Sequence, residues 1–172
     1  MAKRRRGFET AADMVRSLGI VMLVVVAVWF FARPPHSDEK SIRVVDPTDD
    51  IRAFSADFPG TPVPLTPPGW QVTVSTYDSE SGLLRIGWVT SSDHYAEYAA
   101  TAHPTERFLP EITGDAPKGD ALTLGTASWT QYRKDGALSL VHVFGATTVV
   151  LGTVRDTATL DELGVLATRL AA

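Results

Sequence analysis

The sequence contains no cysteine among its 172 residues. This absence excludes a disulfide framework, thiol chemistry and a lipid anchor attached through cysteine. Only four histidines are present, and none stands at H-E-x-x-H or another recognised metal-ligand spacing. The sequence therefore predicts no metal site and no cofactor.

The common signatures of enzymes are missing as well. The chain has no G-x-S-x-G elbow, no Walker loop and no dinucleotide-binding fingerprint. Ser92, Asp93 and His94 are only adjacent in sequence, which does not create the geometry of a catalytic triad. Asp78 and Glu80 share a predicted hairpin tip, where carboxylates are solvated and lack the cleft that a glycosidase needs. We predict no catalytic residue from these patterns.

Beyond the first 32 residues the chain also lacks an excess of positive charge. Residues 1–32 carry five basic and two acidic groups, whereas residues 33–172 carry eleven basic and eighteen acidic groups. The net charges are therefore +3 and −7. An acidic segment of this length argues against nucleic acid as a partner and against binding flat on an anionic lipid surface.

There is one long uncharged apolar run, Leu18 to Ala32, which has fifteen residues. As a helix it would extend about 22 Å. A bilayer core of about 30 Å needs roughly 17 to 25 residues, a length that is reached by counting back to Met14. Arg16 can be accommodated if its guanidinium reaches the headgroups. We expect a transmembrane helix over residues 14–32, in contact with the lipid bilayer, after a basic cytoplasmic tail of residues 1–13.

The distribution of basic residues predicts the orientation of this span. Five basic residues precede the uncharged run that begins at Leu18, whereas the three that follow it closely are diluted by acids. The positive-inside rule then places the N-terminus in the cytoplasm and the rest of the chain outside a plasma membrane. A cleavable signal peptide is disfavoured because Trp29, Phe30 and Phe31 are bulky where small residues are required. The Arg5-Arg6 pair lacks the flanking residues of a twin-arginine signal, so we predict an uncleaved anchor.

The remaining residues predict a juxtamembrane stalk and one folded domain. Pro34 and Pro35 end the helix and begin a stalk over residues 33–45. Residues 46–172 are enough for one extracytoplasmic domain with its own core. We expect an α+β fold in which an antiparallel sheet of five to seven strands packs with two or three helices.

Local patterns place the elements of the domain. A short edge strand is expected at residues 41–45, and a helix begins near residues 46–50, with Ile51, Phe54 and Phe58 on one face. Five prolines make residues 59–69 an extended loop. Further elements follow in order: a hairpin turning at 78–82, a helix from 91–93 to 103, Phe108 and Leu109 under a loop, strands at 121–124, 128–132, 138–144 and 147–153, and a last helix with a Thr159–Glu162 capping box.

Two stretches of the chain echo one another. A pattern of strand, strand and helix follows Trp70 and is repeated after Trp129. Residue identity between the two stretches is low, so a duplication and a coincidence both remain open.

Several short landmarks are distributed over the chain. They are Asp13-Met14, Arg16-Ser17-Leu18, Pro68-Gly69-Trp70, Arg85 to Thr90, Tyr95-Ala96, Trp129, Val149 to Thr153, Glu162-Leu163 and Leu166-Ala167. Together they resemble a known family of membrane-anchored proteins from actinobacteria, domain of unknown function 4245. The resemblance covers nearly the whole chain and implies an outer domain tethered to a membrane. It implies no activity and no catalytic residues.

Aromatic side chains are the richest chemical resource of the domain. They either fill the core or line a pocket between sheet and helix for an apolar or sugar ligand. On the second interpretation the candidate ligand-binding residues are Trp70, Arg85, Trp88, Trp129 and His142.

Three functions are compatible with these patterns. The leading expectation is a non-enzymatic binding or interaction module of the cell envelope, for a protein partner or a small ligand. The alternative is an envelope hydrolase whose site is assembled only in three dimensions. A pocket that brings His94 together with carboxylates would favour the hydrolase. The third is a domain that supports a membrane complex through its helix alone.

Overall fold

The computed structural model describes residues 8–31, 43–153 and 155–170. The chain divides into two compact units, Met1–Ser41 and Ile42–Ala172. The predicted tail over 1–13 lies partly outside the described residues, and the predicted stalk over 33–45 lies mostly outside them.

The first unit contains helix α1 (Phe8–Phe31), which has 24 residues. Its apolar side chains are exposed where they are described, for example Leu23 at 71% and Trp29 at 58%. Among the residues that the structure describes, no helix combines the length and the apolar character needed to cross a membrane.

The second unit begins with helix α2 (Thr48–Asp57), as the sequence predicts. The Asp46 carboxylate accepts hydrogen bonds from the Thr48 backbone N–H at 3.0 Å and from its hydroxyl at 2.6 Å. Phe54 is fully buried, and Ile51 and Phe58 pack against the same core. The predicted apolar face of this helix is therefore confirmed.

Seven strands form one antiparallel sheet in the order β1-β2-β3-β7-β6-β5-β4, which confirms the α+β class. The first three strands form one meander and the last four form another. The two meanders meet where β3 pairs with β7. The strands are β1 (Gln71–Asp78), β2 (Leu83–Val89), β3 (Tyr95–Thr101), β4 (Lys118–Leu124), β5 (Ala127–Lys134), β6 (Ala137–Phe144) and β7 (Thr147–Leu151).

The helix predicted from residues 91–93 to 103 is wrong, because Tyr95 to Thr101 form the central strand β3. Its residues from Ala96 to Thr101 are all buried, so both faces of the strand are covered. A doubly covered strand shows no alternation of polar and apolar residues. Tyr95, Tyr98, Ala99 and Ala102 also stand at helical spacing, and packing in the sheet overrides that local preference. The predicted repeat of strand, strand and helix is also different in the structure, where α3 follows three strands and α4 follows four.

Two smaller predictions also need correction. Phe108 begins a short helix, α3 (Phe108–Thr113), instead of lying under a loop, and buries its side chain with that of Ile112 one turn later. The predicted edge strand at 41–45 falls partly outside the described residues, and residues 43–47 are irregular. A backbone hydrogen bond joins them to the sheet, from the Val45 N–H to the Val72 carbonyl at 2.9 Å.

The two faces of the sheet are covered unequally. On the two-helix face, α2 packs against β1 and β2, and the closing helix α4 (Leu160–Leu170) packs against β4 and β7. Trp88, Trp129 and Tyr98 lie fully buried there. On the one-helix face, α3 covers a smaller cluster that includes Val141 and Val150. Polar groups occupy much of the remainder of that face.

The proline-containing loop over residues 59–69 contributes to the core of the two-helix face. It has no regular structure, as predicted, and it buries Pro64 and Pro67. The Tyr98 hydroxyl donates to the Pro62 carbonyl at 2.8 Å, and the Trp88 Nε1–H donates to the Thr66 hydroxyl at 3.2 Å. The loop therefore satisfies two buried polar groups that the sheet itself leaves without partners.

Candidate functional site

The paired central strands β3 and β7 have two ends, and the chemically interesting groups gather at both. At the polar end, β3 begins and β7 ends. At the cleft end, β3 ends and β7 begins. The polar end contains the buried carboxylates and His94, and the cleft end contains the largest of the described cavities.

His94 lies against the N-terminus of α4 at the polar end. Its Nδ1 is 2.9 Å from Glu162 Oε2, and the Thr90 hydroxyl donates to Oε1 at 2.7 Å. The Thr159 N–H also donates to Glu162, at 2.8 Å, while the Glu162 N–H donates to the Thr159 hydroxyl at 3.3 Å. This reciprocal pair is the predicted capping box. The His94 contact thus fastens the β2–β3 loop to a helix start.

The hydrogen bonds around Glu162 control its charge. Burial works to raise the pKa of Glu162, but the donors from Thr159, Thr90 and His94 outweigh it and lower the pKa to about 2. Glu162 is therefore ionised at neutral pH. With a further bond from the Thr159 hydroxyl at 3.0 Å, the ionised carboxylate has four hydrogen bonds and is suited to holding a loop and a helix together. No described cavity is lined by Glu162 or by His94.

A second group of polar side chains lies on the one-helix face of the same end. Arg85 Nε donates to Glu97 Oε1 at 2.6 Å, with the Glu97 side chain 3% exposed and that of Arg85 30% exposed. The Tyr95 hydroxyl reaches the other Glu97 oxygen at 3.3 Å. Burial, together with the Glu97 charge, raises the pKa of Tyr95, so its phenol remains a donor. The Arg85–Glu97 ion pair joins the neighbouring strands β2 and β3.

Asp156 adds another buried carboxylate beside Glu97. It accepts a hydrogen bond from the Glu97 N–H at 3.0 Å and one from the Thr153 hydroxyl at 3.1 Å. Burial raises the pKa of Asp156 to about 7, with the Glu97 charge adding to the effect and the hydrogen bonds opposing it. A protonated carboxyl beside a second carboxyl is a common arrangement for acid–base chemistry.

The space beside these carboxyls is too small for most substrates. The adjoining cavity has a volume of about 60 Å³ and is lined by Arg85, Glu111, Ile112, Thr153 and Arg155. That volume holds a few water molecules and cannot admit a sugar ring. Among the described residues, no group of three or more His, Asp and Glu side chains is placed to hold a metal ion.

The cleft end has the opposite character. A cleft of about 490 Å³ opens where the end of α2 meets the turn between β6 and β7. Small and turn-forming residues make up most of its wall, together with Phe58, Phe144 and Asp57. Its lining residues are Asp57, Phe58, Pro59, Gly60, Thr61, Ala102, Phe144, Gly145, Ala146 and Thr147.

Hydrogen bonds fix two sides of this cleft. The hydroxyls of Thr61 and Thr147 are 2.8 Å apart, which joins the loop after α2 to the start of β7. The Tyr77 hydroxyl donates to Asp57 Oδ2 at 2.5 Å. Burial and the Asp57 charge raise the pKa of Tyr77 to about 12, so the phenol keeps its proton. The elements that form the cleft are therefore joined by hydrogen bonds in the absence of a ligand.

Aromatic rings continue behind the cleft into the core. Phe144 lies 4.3 Å from His142 and 6.0 Å from Trp129, measured between ring centroids. The His142 Nδ1 is 2.8 Å from the Ser128 carbonyl. The buried Trp129 Nε1 has no hydrogen-bond partner among the described residues, which is unusual for a buried donor.

The five candidate ligand-binding residues do not meet at one place. Trp88 and Trp129 are fully buried in the core of the two-helix face, where Trp70 packs on Trp88 at 6.5 Å and His142 on Trp129 at 5.4 Å. Arg85 lies on the other face with Glu97. Sequence reasoning missed Asp57, Phe58, Thr61 and Thr147 as cleft residues. The available signals were the Pro59-Gly60 turn directly after a helix and the Gly145 turn between strands.

Comparison with known proteins identifies the family of this chain. Residues 6–170 fit the model of a family described as "Protein of unknown function (DUF4245)". The chain belongs to this family. No curated protein and no solved structure matches the chain. The predicted membership of domain of unknown function 4245 is thereby confirmed, and the family description supplies no activity.

Proposed function

We propose that this protein is a membrane-anchored binding module of the cell envelope. In this proposal residues 14–32 hold the chain in the plasma membrane, residues 46–172 lie outside, and the cleft takes a ligand. The observation that carries the binding role is the contrast between the open cleft and the polar end, where the clustered titratable groups are occupied by bonds within the fold.

The anchoring part of the proposal is supported by α1 and its flanking charges. A helix of 24 residues is about 36 Å long, which exceeds the roughly 30 Å of a bilayer core. The described apolar side chains between Met14 and Trp29 are exposed. Lipid contact would remove this apolar surface from water. The basic residues before the helix and the acidic domain after it favour an external domain.

Topology can be tested by fusing a reporter enzyme after Ala172, using one reporter active only outside the membrane and one active only in the cytoplasm. We expect activity from the external reporter alone, with a chain of full size on a denaturing gel. A shortened chain would contradict the uncleaved anchor. Activity from the cytoplasmic reporter alone would contradict the localisation and the envelope role together.

The binding part of the proposal is supported by the construction of the cleft. Its volume lies within the roughly 300 to 1,000 Å³ that small-molecule sites occupy. Phe58 and Phe144 offer apolar surface, and Asp57 and Thr61 offer a small number of polar groups. The Thr61–Thr147 hydrogen bond holds the walls in position, so little ordering is required when a ligand binds.

A fragment screen followed by NMR of the full chain in detergent micelles tests this role. Ala146 is exposed in the β6–β7 turn, so Ala146→Trp fills the mouth of the cleft. Ala121→Trp places the same ring on the exposed edge strand β4 and is the matched control. We expect fragment hits to shift cleft resonances and to be lost in Ala146→Trp only. Hits that survive the filled cleft would contradict the proposal.

Hydrolysis is the second candidate function, and one observation favours it. His94 and Glu162 form a close pair, which is how a carboxylate orients a general base. The same contact is also accounted for by the capping box of α4, so hydrolysis is the second candidate. If the protein is a hydrolase of this kind, His94→Gln should abolish turnover of an activated ester by the full chain. Unchanged turnover would exclude this pair as the catalytic base.

A further inference from the structure

The charges around the cleft indicate which ligand class it takes. Asp57 is the only charged side chain among the cleft-lining residues of the described chain. Its Oδ2 accepts the Tyr77 hydroxyl, while its Oδ1 has no hydrogen bond within the described residues. Asp57 therefore adds a negative charge to the lining of a cavity whose other lining residues are neutral, and a positively charged ligand group would pair with it.

The end of α2 adds negative potential at the same place. Asp57 is the last residue of this ten-residue helix, and Phe58 to Thr61 continue directly into the cleft wall. Backbone dipoles sum to a partial negative charge at a helix C-terminus, which stabilises cations. No basic residue lies in the last turn of α2 to neutralise it. Residues 33–172 also carry a net charge of −7, which raises the local concentration of cations.

The two aromatic rings complete a site for a cation with apolar substituents. Phe58 and Phe144 line the cleft, and the negative face of an aromatic ring attracts an ammonium group. A bare metal ion would need several oxygen ligands, and the lining offers one carboxylate with two hydroxyls that are bonded to one another at 2.8 Å. The combination of one carboxylate, two rings and a helix C-terminus suits an organic ammonium group.

We propose that the cleft binds a soluble small molecule through an ammonium group, which lies between the Phe58 and Phe144 rings and pairs with the Asp57 carboxylate. This inference deepens the proposed binding function and rests on it. The remaining part of the ligand lies along the Gly60 and Gly145 turns, whose small residues leave the cleft open.

Choline and its neutral isostere 3,3-dimethyl-1-butanol provide the direct test, because they share shape and differ in charge. The full chain is kept in maltoside micelles, which carry no ammonium group, at pH 8, where an ordinary imidazole is neutral. Titration is followed by NMR at the amides of Phe58, Thr61 and Ala146. We expect choline to bind with a dissociation constant on the order of 1 mM and the isostere about tenfold more weakly.

Two variants locate the interaction. Asp57→Asn keeps an acceptor for Tyr77 and removes the charge, so choline affinity should fall about tenfold, while Asp120→Asn on the exposed strand β4 should leave it unchanged. Phe144→Leu keeps apolar volume and removes the ring, which should weaken choline about threefold.

Each outcome separates this inference from the broader function. Equal affinity for choline and the isostere at cleft amides would overturn the ammonium preference and leave the cleft as a binding site. Equal losses in Asp57→Asn and Asp120→Asn would also overturn it, since the effect would then come from net charge. Shifts confined to residues outside the cleft would overturn the inference and the proposed site together.

Discussion

The two ends of the central strand pair differ in the environment of their polar groups and in the open volume they leave. At the polar end, Glu97, Asp156 and Glu162 are largely removed from water, and each accepts hydrogen bonds from named neighbours. At the cleft end, rings and turns leave open volume with a single carboxylate. Buried charges are costly unless they are paired, so the polar end depends on its full set of bonds. Among the described residues, the cleft end contains no buried charge that needs such bonds, so it can receive a ligand.

The largest difference between the two ends should appear in the free energy of unfolding when alanine replaces a glycine at each end. Gly152 has φ +80°, and an added Cβ would lie 2.2 Å from the Leu138 carbonyl oxygen, whereas Gly145 has φ +60° and nothing within 4 Å. Gly152→Ala should cost about 4 kcal/mol because strain and a backbone clash add together. Gly145→Ala should cost about 1 kcal/mol from backbone strain alone. Denaturant unfolding of the two full-length variants measures the difference, and equal losses would contradict the contrast.

The next largest effect concerns pH. The pKa of Asp156 is raised from 3.8 to about 7 by burial, so the folded state binds this proton more tightly than the unfolded state. The free energy of unfolding should therefore fall as pH rises from about 4 to about 7, by at most about 4 kcal/mol from this group. Asp156→Asn mimics the neutral form and should flatten that slope.

Melting temperatures of both proteins across pH 4 to 8 check this expectation. An unchanged slope in Asp156→Asn would show that the carboxyl does not hold its proton in the folded state. Asp93→Asn is a suitable control, because Asp93 is exposed at the same end of the sheet and Asn also tolerates its positive φ. We expect the slope of this control to match that of the unchanged protein.

A smaller effect is expected at the capping box. Glu162→Gln weakens the charge-assisted bonds from Thr90, Thr159 and His94 and should cost about 1 kcal/mol at pH 7. Because the folded-state pKa of about 2 lies below the ordinary 4.5, this stabilisation is complete above about pH 4.5 and is lost as pH falls toward 2. Glu80→Gln, at an exposed hairpin tip, should change the melting temperature little. Equal shifts in the two variants would argue against a structural role for Glu162.

The smallest effect on stability should come from the cleft itself. Phe144→Leu retains apolar volume in a half-buried position next to Trp129, so it should cost about 0.5 kcal/mol. It should nevertheless weaken ligand binding at the cleft. A variant whose stability collapses would show that the Phe144 ring is required by the core, which would weaken the distinction between the two ends.

An element can be predicted from the sequence when the pattern that defines it lies within a few residues. The face of α2 formed by Ile51, Phe54 and Phe58 follows a helical period, and the Thr159–Glu162 capping box is complete in four residues. The sequence predicts a helix at strand β3 because both faces of the strand are covered, which removes the alternation of polar and apolar residues and leaves a run of alanine and tyrosine that suits a helix. Burial on both sides is set by distant segments.

The cleft could not be predicted for a related reason. Phe58 follows the first helix of the domain and Phe144 ends the sixth strand, so their proximity depends on strand order and on the Thr61–Thr147 bond. The sequence predicts Trp88 and Trp129 as ligand contacts because large aromatic side chains occur both in cores and in binding sites. Composition alone does not separate these roles, and only the position of each ring in the sheet does.

The central claim is that the cleft end faces the exterior as the binding end of an anchored module. Since the sequence has no cysteine, a single Ala146→Cys introduces a unique thiol at the cleft, and Ala12→Cys does so before the proposed span. A maleimide that cannot cross membranes should label the first in intact cells and the second only after permeabilisation. Labelling of Ala146→Cys only after permeabilisation would contradict the account.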